Sequence, residues 1–306
     1  MRFSKTISIA AAASTANAQR PENVSICDYY TTALLKDNTA ENQATLLTLV
    51  VNTVPNVGVT VPGILAPGEY NGTKVNLLPY FNGELASSNR GGDEGVSVNF
   101  LDDGGAEPLK NNKPANTESS QQYFLLTHLY QFFGSLLGCS KQGMPGFDAY
   151  AADPSMYDVH KFMALDVHEV GYFITQVGLA ASSFGVADSD VQAVGKALNS
   201  LFGYRCAPAT TIIKSQGSQL QAICIAEDCP LADGAVCDSY APVVEPSSVT
   251  STASMSAAPT ASYSMGTPIG TGSYTFSSPT SVPTAGAAIN GFGLGAIAGG
   301  IAAFLL

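Results

Sequence analysis

Apolar residues recur at helical spacing between residues 119 and 202 of this 306-residue chain, and that periodicity fades on either side. The run SSQQYFLLTHLYQFFGSLLGC carries Phe124, Leu125, Leu129, Phe132, Phe133, Leu136 and Leu137, opens on serines and closes at Gly138. This predicts a helix apolar nearly all round, and therefore central. Ser155 is placed to cap a short helix containing Met156, Val159, His160 and Met163. Asp166 with Glu169 three residues on has the form of a capping box, set before Val170, Phe173, Ile174, Val177 and Ala181. Gly185 stops that helix, and Ser189 opens another with Val191, Val194, Leu198, Leu201 and Phe202 turned inward.

The flanks read differently. NQATLLTLVVNTV at residues 42–54 has the spacing of a buried helix, with enough Val and Thr to pass for a strand; helix is the expectation. Residues 55–117 are crowded with Gly, Pro, Asn and Asp and predict a long loop region, broken by short apolar pieces at 75–81 and 96–101. An irregular stretch of that length usually means binding loops or unrecognised elements. After Cys206 come a short apolar piece at 211–214 and a cluster of cysteines. The fold class expected is mainly α, a helical core with long irregular insertions and a disulfide-stapled C-terminal extension.

Composition adds a cellular address. MRFSKTISIAAAASTANA places Arg2 and Lys5 before a small apolar run ending Ala16-Asn17-Ala18, so residues 1–18 read as a secretory signal peptide. The head is expected over 19–240, with its core at about 42–54, 75–83 and 119–205. Residues 241–285 are rich in Ser, Thr and Pro, a composition too polar to offset its conformational entropy by burial, and read as an O-glycosylated stalk. The uncharged, glycine-rich stretch 286–306 reads as a GPI-attachment signal, with Ala285, Gly286 and Ala287 small enough for the attachment site. Its glycines weaken the alternative of a single membrane-spanning helix.

The net charge of −11, with no cluster of Lys and Arg, argues against nucleic-acid binding. Six cysteines, Cys27, Cys139, Cys206, Cys224, Cys229 and Cys237, predict three disulfides in an oxidising compartment, with the C-terminal four joined to one another and to a core partner, Cys27 or Cys139. The same four as zinc ligands would lack paired C-x-x-C spacing. Asn23-Val24-Ser25 and Asn71-Gly72-Thr73 are glycosylation sequons, expected at the surface.

Candidate chemistry centres on three histidines, His128, His160 and His168. His128 and His160 can face one interior space, whereas His168 in a first helical turn is expected near solvent. The plain alternative is that they are packed imidazoles with hydrogen-bond partners. There is no H-E-x-x-H, since Tyr172 stands where the second histidine belongs, and no G-x-S-x-G. The acids of Asp93–Asp103 offer no pair that sequence can single out for glycosidase chemistry.

Taken in order, LLPYFNG at 77–83, the helix ending FFGSLLG, Ala149-Tyr150, SMYDVHKFMAL, the acid-capped helix with EVGYF and the last amphipathic helix resemble the truncated haemoglobins. The resemblance implies a globin-like core and a b-type haem. It assigns the proximal iron ligand to His160, within Met156-Tyr157-Asp158-Val159-His160, and the packing on the haem to Phe81, Leu125, Leu129, Phe132 and Phe133. It leaves His128 as the residue able to reach an iron-bound ligand, or to stay structural at the edge of that helix face. The implied function is a cell-surface haem protein handling dioxygen, nitric oxide or peroxide, or capturing haem. The chain also resembles GPI-anchored surface proteins of fungi. The competing expectation is a cell-wall or adhesion protein without cofactor, whose long loops bind a partner or a cell-wall glycan.

Overall fold

The computed structural model describes residues 20–55 and 61–249; the expected signal peptide, most of the expected stalk and the expected GPI signal lie outside the described residues. Within them the chain is mostly helical, with α1 Ile26–Leu35, α2 Ala40–Thr53, α3 Ala106–Lys110, α4 Gln121–Leu136, α5 Met156–His160, α6 Val167–Ser183 and α7 Asp188–Phe202. Four short strands form two antiparallel pairs, β1 Gly68–Tyr70 with β2 Thr73–Val75, and β3 Asn82–Ser88 with β4 Val96–Asn99.

Local chemistry accounts for the helix starts. Ser25, Thr39, Ser120 and Ser155 accept backbone N–H groups of the first turns of α1, α2, α4 and α5. Asp166 and Glu169 form the expected capping box on α6. α7 begins one residue before the expected Ser189, after Ala187, which has no capping side chain; Ala187 N–H donates instead to the Tyr30 hydroxyl. α1 was not legible as a helix, because only Cys27, Tyr30 and Thr31 of it are buried.

α4 packs on α2, and α6 packs on α2 and α7. Leu47, Leu198 and Ala180 lie at the centre with no more than 2% exposure. Tyr130 donates its hydroxyl to the Asn52 side chain across the α2–α4 contact. Cys27 is bonded to Cys139, which ties the start of α1 to the segment after α4. Buried Gln43 reinforces that joint, donating to Asp28 and Asn38 and accepting the Lys141 N–H.

Residues 55–117 are not one long loop. They contain both strand pairs and α3, which sequence missed because β3, NGELASS, has no alternation of apolar residues. Asn71 and Gly72, both at positive φ, turn β1 into β2. Gly68 lies against the ring of Tyr172 and Gly171 against the ring of Tyr70, so this hairpin sits directly on α6 with no room for a Cβ at either contact. The sequon residues Asn23 and Asn71 are exposed.

The extension after α7 is stapled by Cys206–Cys237 and Cys224–Cys229. No C-terminal cysteine reaches Cys27 or Cys139, contrary to expectation, and with all six cysteines oxidised there is no thiolate set for zinc. Ile223 and Cys224 donate N–H groups to the Phe202 carbonyl, and Ile225 and Ala226 donate to that of Leu165. Beyond the expected end of the head, residues 247–249 lie along β3: Ala86 N–H donates to Ser247 O, and Val249 N–H to Glu84 O. Three disulfides fit an oxidising compartment.

Candidate functional site

α5 is one and a half turns long, too short to hold its shape alone, and the C-terminal extension braces it. The Ser155 hydroxyl donates to Leu220 O at 2.9 Å, Tyr157 N–H donates to the same carbonyl, and Met156 N–H donates to Gln221 Oε1. The Gln221 side chain returns a bond to Pro154 O. Farther along the extension, Ala241 N–H donates to the Tyr157 hydroxyl, and the rings of Tyr157 and Tyr240 meet edge to face at 4.6 Å. Two regions of the chain, about 65 and 84 residues away in sequence, thereby fix a five-residue helix.

His160 closes α5. Its Nδ1 lies 2.7 Å from the carbonyl oxygen of Met156, one turn back. A carbonyl only accepts, so Nδ1 carries the proton and Nε2 carries the lone pair. Nε2 has no hydrogen-bond partner among the described residues. Burial pushes the pKa of His160 down, against a smaller upward pull from the Met156 carbonyl, so the ring is neutral at physiological pH. It lies deep in the protein while keeping part of its surface accessible. A neutral imidazole with its ring orientation set by Nδ1 and its Nε2 open is the form that binds a metal.

The other expected residues divide between two faces of α4. Leu125, Leu129, Phe132 and Leu136 follow one another at helical spacing, and Leu125 and Leu129 are only half-buried against the core. Phe133 falls with Leu126 and Tyr130 on the neighbouring face, all three buried. Phe81 is half-buried just after the 3-10 turn Leu78–Tyr80, and its carbonyl accepts the Phe100 N–H. His128 stands edge-on to Phe124 at 4.0 Å and 6.2 Å from the ring of Tyr150. Its Nδ1 is buried and makes no well-formed hydrogen bond, although the Phe124 carbonyl one turn back acts on the ring. Burial lowers its pKa, the Phe124 carbonyl opposes this, and the Arg90 charge adds to the lowering. His168 is half-buried beside Tyr70 rather than in solvent, and its Nδ1 is also unpaired.

Sequence reasoning missed the piece that bridges α4 and α5. The 3-10 turn Asn89–Gly91 packs on α5, and its Arg90 reaches α4, donating to Gln121 Oε1 at 2.6 Å with its guanidinium 4.1 Å over the ring of Phe124. The only prior signal was a polar cluster, NRGG, that resembled any loop. Among the described residues no group of three or more His, Cys, Asp or Glu is placed to hold a metal ion. No family model, curated protein or solved structure matches this chain.

Proposed function

We propose that the head is a globin-like, haem-binding domain of a secreted, GPI-anchored cell-surface protein, with His160 as the axial ligand of the iron. The observation that carries the reading is the 2.7 Å contact from His160 Nδ1 to Met156 O, which leaves an unprotonated Nε2 on a braced helix. The apolar surroundings support the reading: the half-buried Leu125 and Leu129 give α4 an apolar face with accessible surface, and Phe81 is a further half-buried ring. Haem, when bound, supplies an iron that takes diatomic ligands and changes oxidation state.

The chain's own part is to orient the imidazole. Met156 O holds the imidazole in one tautomer, and the bonds from Leu220, Gln221 and Ala241 to α5 hold the helix that carries it. His128 is neutral and unpaired at Nδ1, which supports a role at the pocket edge only if its ring turns; its contacts with Phe124 and Tyr150 support a structural one.

Titration of the purified head with haemin tests the reading. A Soret band should develop at one equivalent, be lost in His160→Ala, and return in His160→Gly supplied with free imidazole. A head that stays colourless, or a His160→Ala spectrum identical to that of the unchanged protein, overturns it and leaves the cofactor-free wall or adhesion protein as the better reading.

A further inference from the structure

Beside the α4–α5 bridge lies an open groove of about 360 Å³ lined by Arg90, Ser97, Val98, Asn99, Asp102 and Gln121. Its polar groups are committed unevenly. Asp102 spends both carboxylate oxygens on the start of α4, accepting from Gln121 N–H at 3.1 Å and Gln122 N–H at 3.0 Å. Its charge is thereby set against the positive end of the helix. Gln121 Oε1 is taken by Arg90, Asn99 Oδ1 by the Leu101 N–H, and the Ser97 hydroxyl donates to Gly83 O.

Among the described residues no partner is present for Nε and Nη2 of the exposed Arg90, Nδ2 of the exposed Asn99 or Nε2 of Gln121, so these donors face the groove's solvent alongside the Asp102 carboxylate. Both amides accept through their oxygens, so their NH2 groups are the ends left for a ligand. Arg90 is itself held, by Gln121 on one side and the Phe124 ring beneath, and a planar guanidinium fixed in place suits an acceptor with two oxygens.

We propose that this groove binds a carboxylate, with Arg90 and Gln121 as its principal donors and Asn99 as a third. The carboxylate can come from two sources. One is the propionate edge of a porphyrin seated against α4, and that form rests on the haem reading above. The other is a free acid such as a uronic acid, and that form is independent of it.

Two variants separate donors from folding: Arg90→Gln removes the charge, and Gln121→Glu keeps the oxygen that Arg90 holds while turning the free NH2 into a repelling carboxylate. The secreted full-length chain and both variants are titrated with haemin, with haemin dimethyl ester, and with sodium glucuronate followed by amide chemical shifts. The propionate source predicts haemin binding weakened about tenfold in each variant, with the ester unaffected. The free-acid source predicts glucuronate shifts at Arg90, Asn99 and Gln121 that vanish in both variants, and this result stands even if haemin is never taken up. Haemin and ester weakened equally, or no loss in either variant and no glucuronate shifts, overturns the carboxylate groove, while a Soret band that persists would leave the haem reading intact.

Discussion

Tyr80 donates its hydroxyl to Glu169 Oε1 at 2.9 Å, joining the 3-10 turn before β3 to the first turn of α6. The other oxygen of Glu169 accepts the Asp166 N–H of the capping box at 3.1 Å. Burial raises the pKa of Glu169 from the ordinary glutamate value; bonds from the Asp166 N–H and Tyr80 lower it, and the charges of Asp166 and Glu245 push it up again. The same burial, with the Glu169 charge beside it, drives the Tyr80 phenol far up, so it stays a donor throughout.

The sign of the linkage follows. Between the ordinary Glu value and the raised folded one, the native state binds more protons than the unfolded chain, so Glu169 makes stability fall as pH rises through that window. Glu169→Gln, which can keep the cap and meet Tyr80, is expected to flatten this slope and to be the more stable protein at neutral pH. Urea unfolding from pH 4 upward measures it; an unchanged slope in the variant would show that the raised pKa is not expressed in stability.

Cys27 and Cys139 lie 112 residues apart and join α1 to the end of α4. Opening so long a loop is expected to cost roughly 4–5 kcal/mol by chain entropy. The double variant Cys27→Ala, Cys139→Ala should unfold at markedly lower denaturant concentration, while the loop of Cys224–Cys229, only 5 apart, should contribute less. Peptide mapping without reduction checks the pairing, and a Cys27 peptide linked to any C-terminal cysteine would contradict it.

Arg20, Tyr30 and Asp190 form one buried network. Asp190 accepts from Arg20 at 3.0 Å and from the Tyr30 hydroxyl at 2.8 Å, and it is 6% exposed. Burial, reinforced by Asp190 and opposed by the Ala187 N–H bond, pushes the Tyr30 phenol up to about 12. Asp190→Ala leaves the Arg20 charge buried without its partner and is expected to cost about 3 kcal/mol. Equilibrium unfolding reads this directly, and a loss within that of a surface substitution would mean that water replaces the carboxylate.

Haem and carboxylate binding differ from these three tests in reporting on function rather than stability. The contrast mirrors how the chain could be read. α4, α6 and α7 announce themselves because their burial is periodic along their own sequence: Leu126, Tyr130 and Phe133, or Val170 and Val177, recur at the helical repeat. The capping box and the stop at Gly185 are likewise local, three residues of chemistry acting on the adjoining backbone.

Local sequence was therefore enough for the helical class, for α4, α5 and α6 with their capping residues, for the body of α7, and for the cysteine pool and the histidine at the end of α5. Tertiary structure alone decided which cysteines meet, that β3 is a strand paired with β4 and with residues 247–249, and that Arg90 spans from its turn to Gln121 and Phe124. Each of these depends on a partner distant in sequence, as with Ser155 and Leu220. A strand such as NGELASS has no pattern until its neighbours supply hydrogen bonds, and a charged loop residue has no distinct environment until folding brings a helix beneath it.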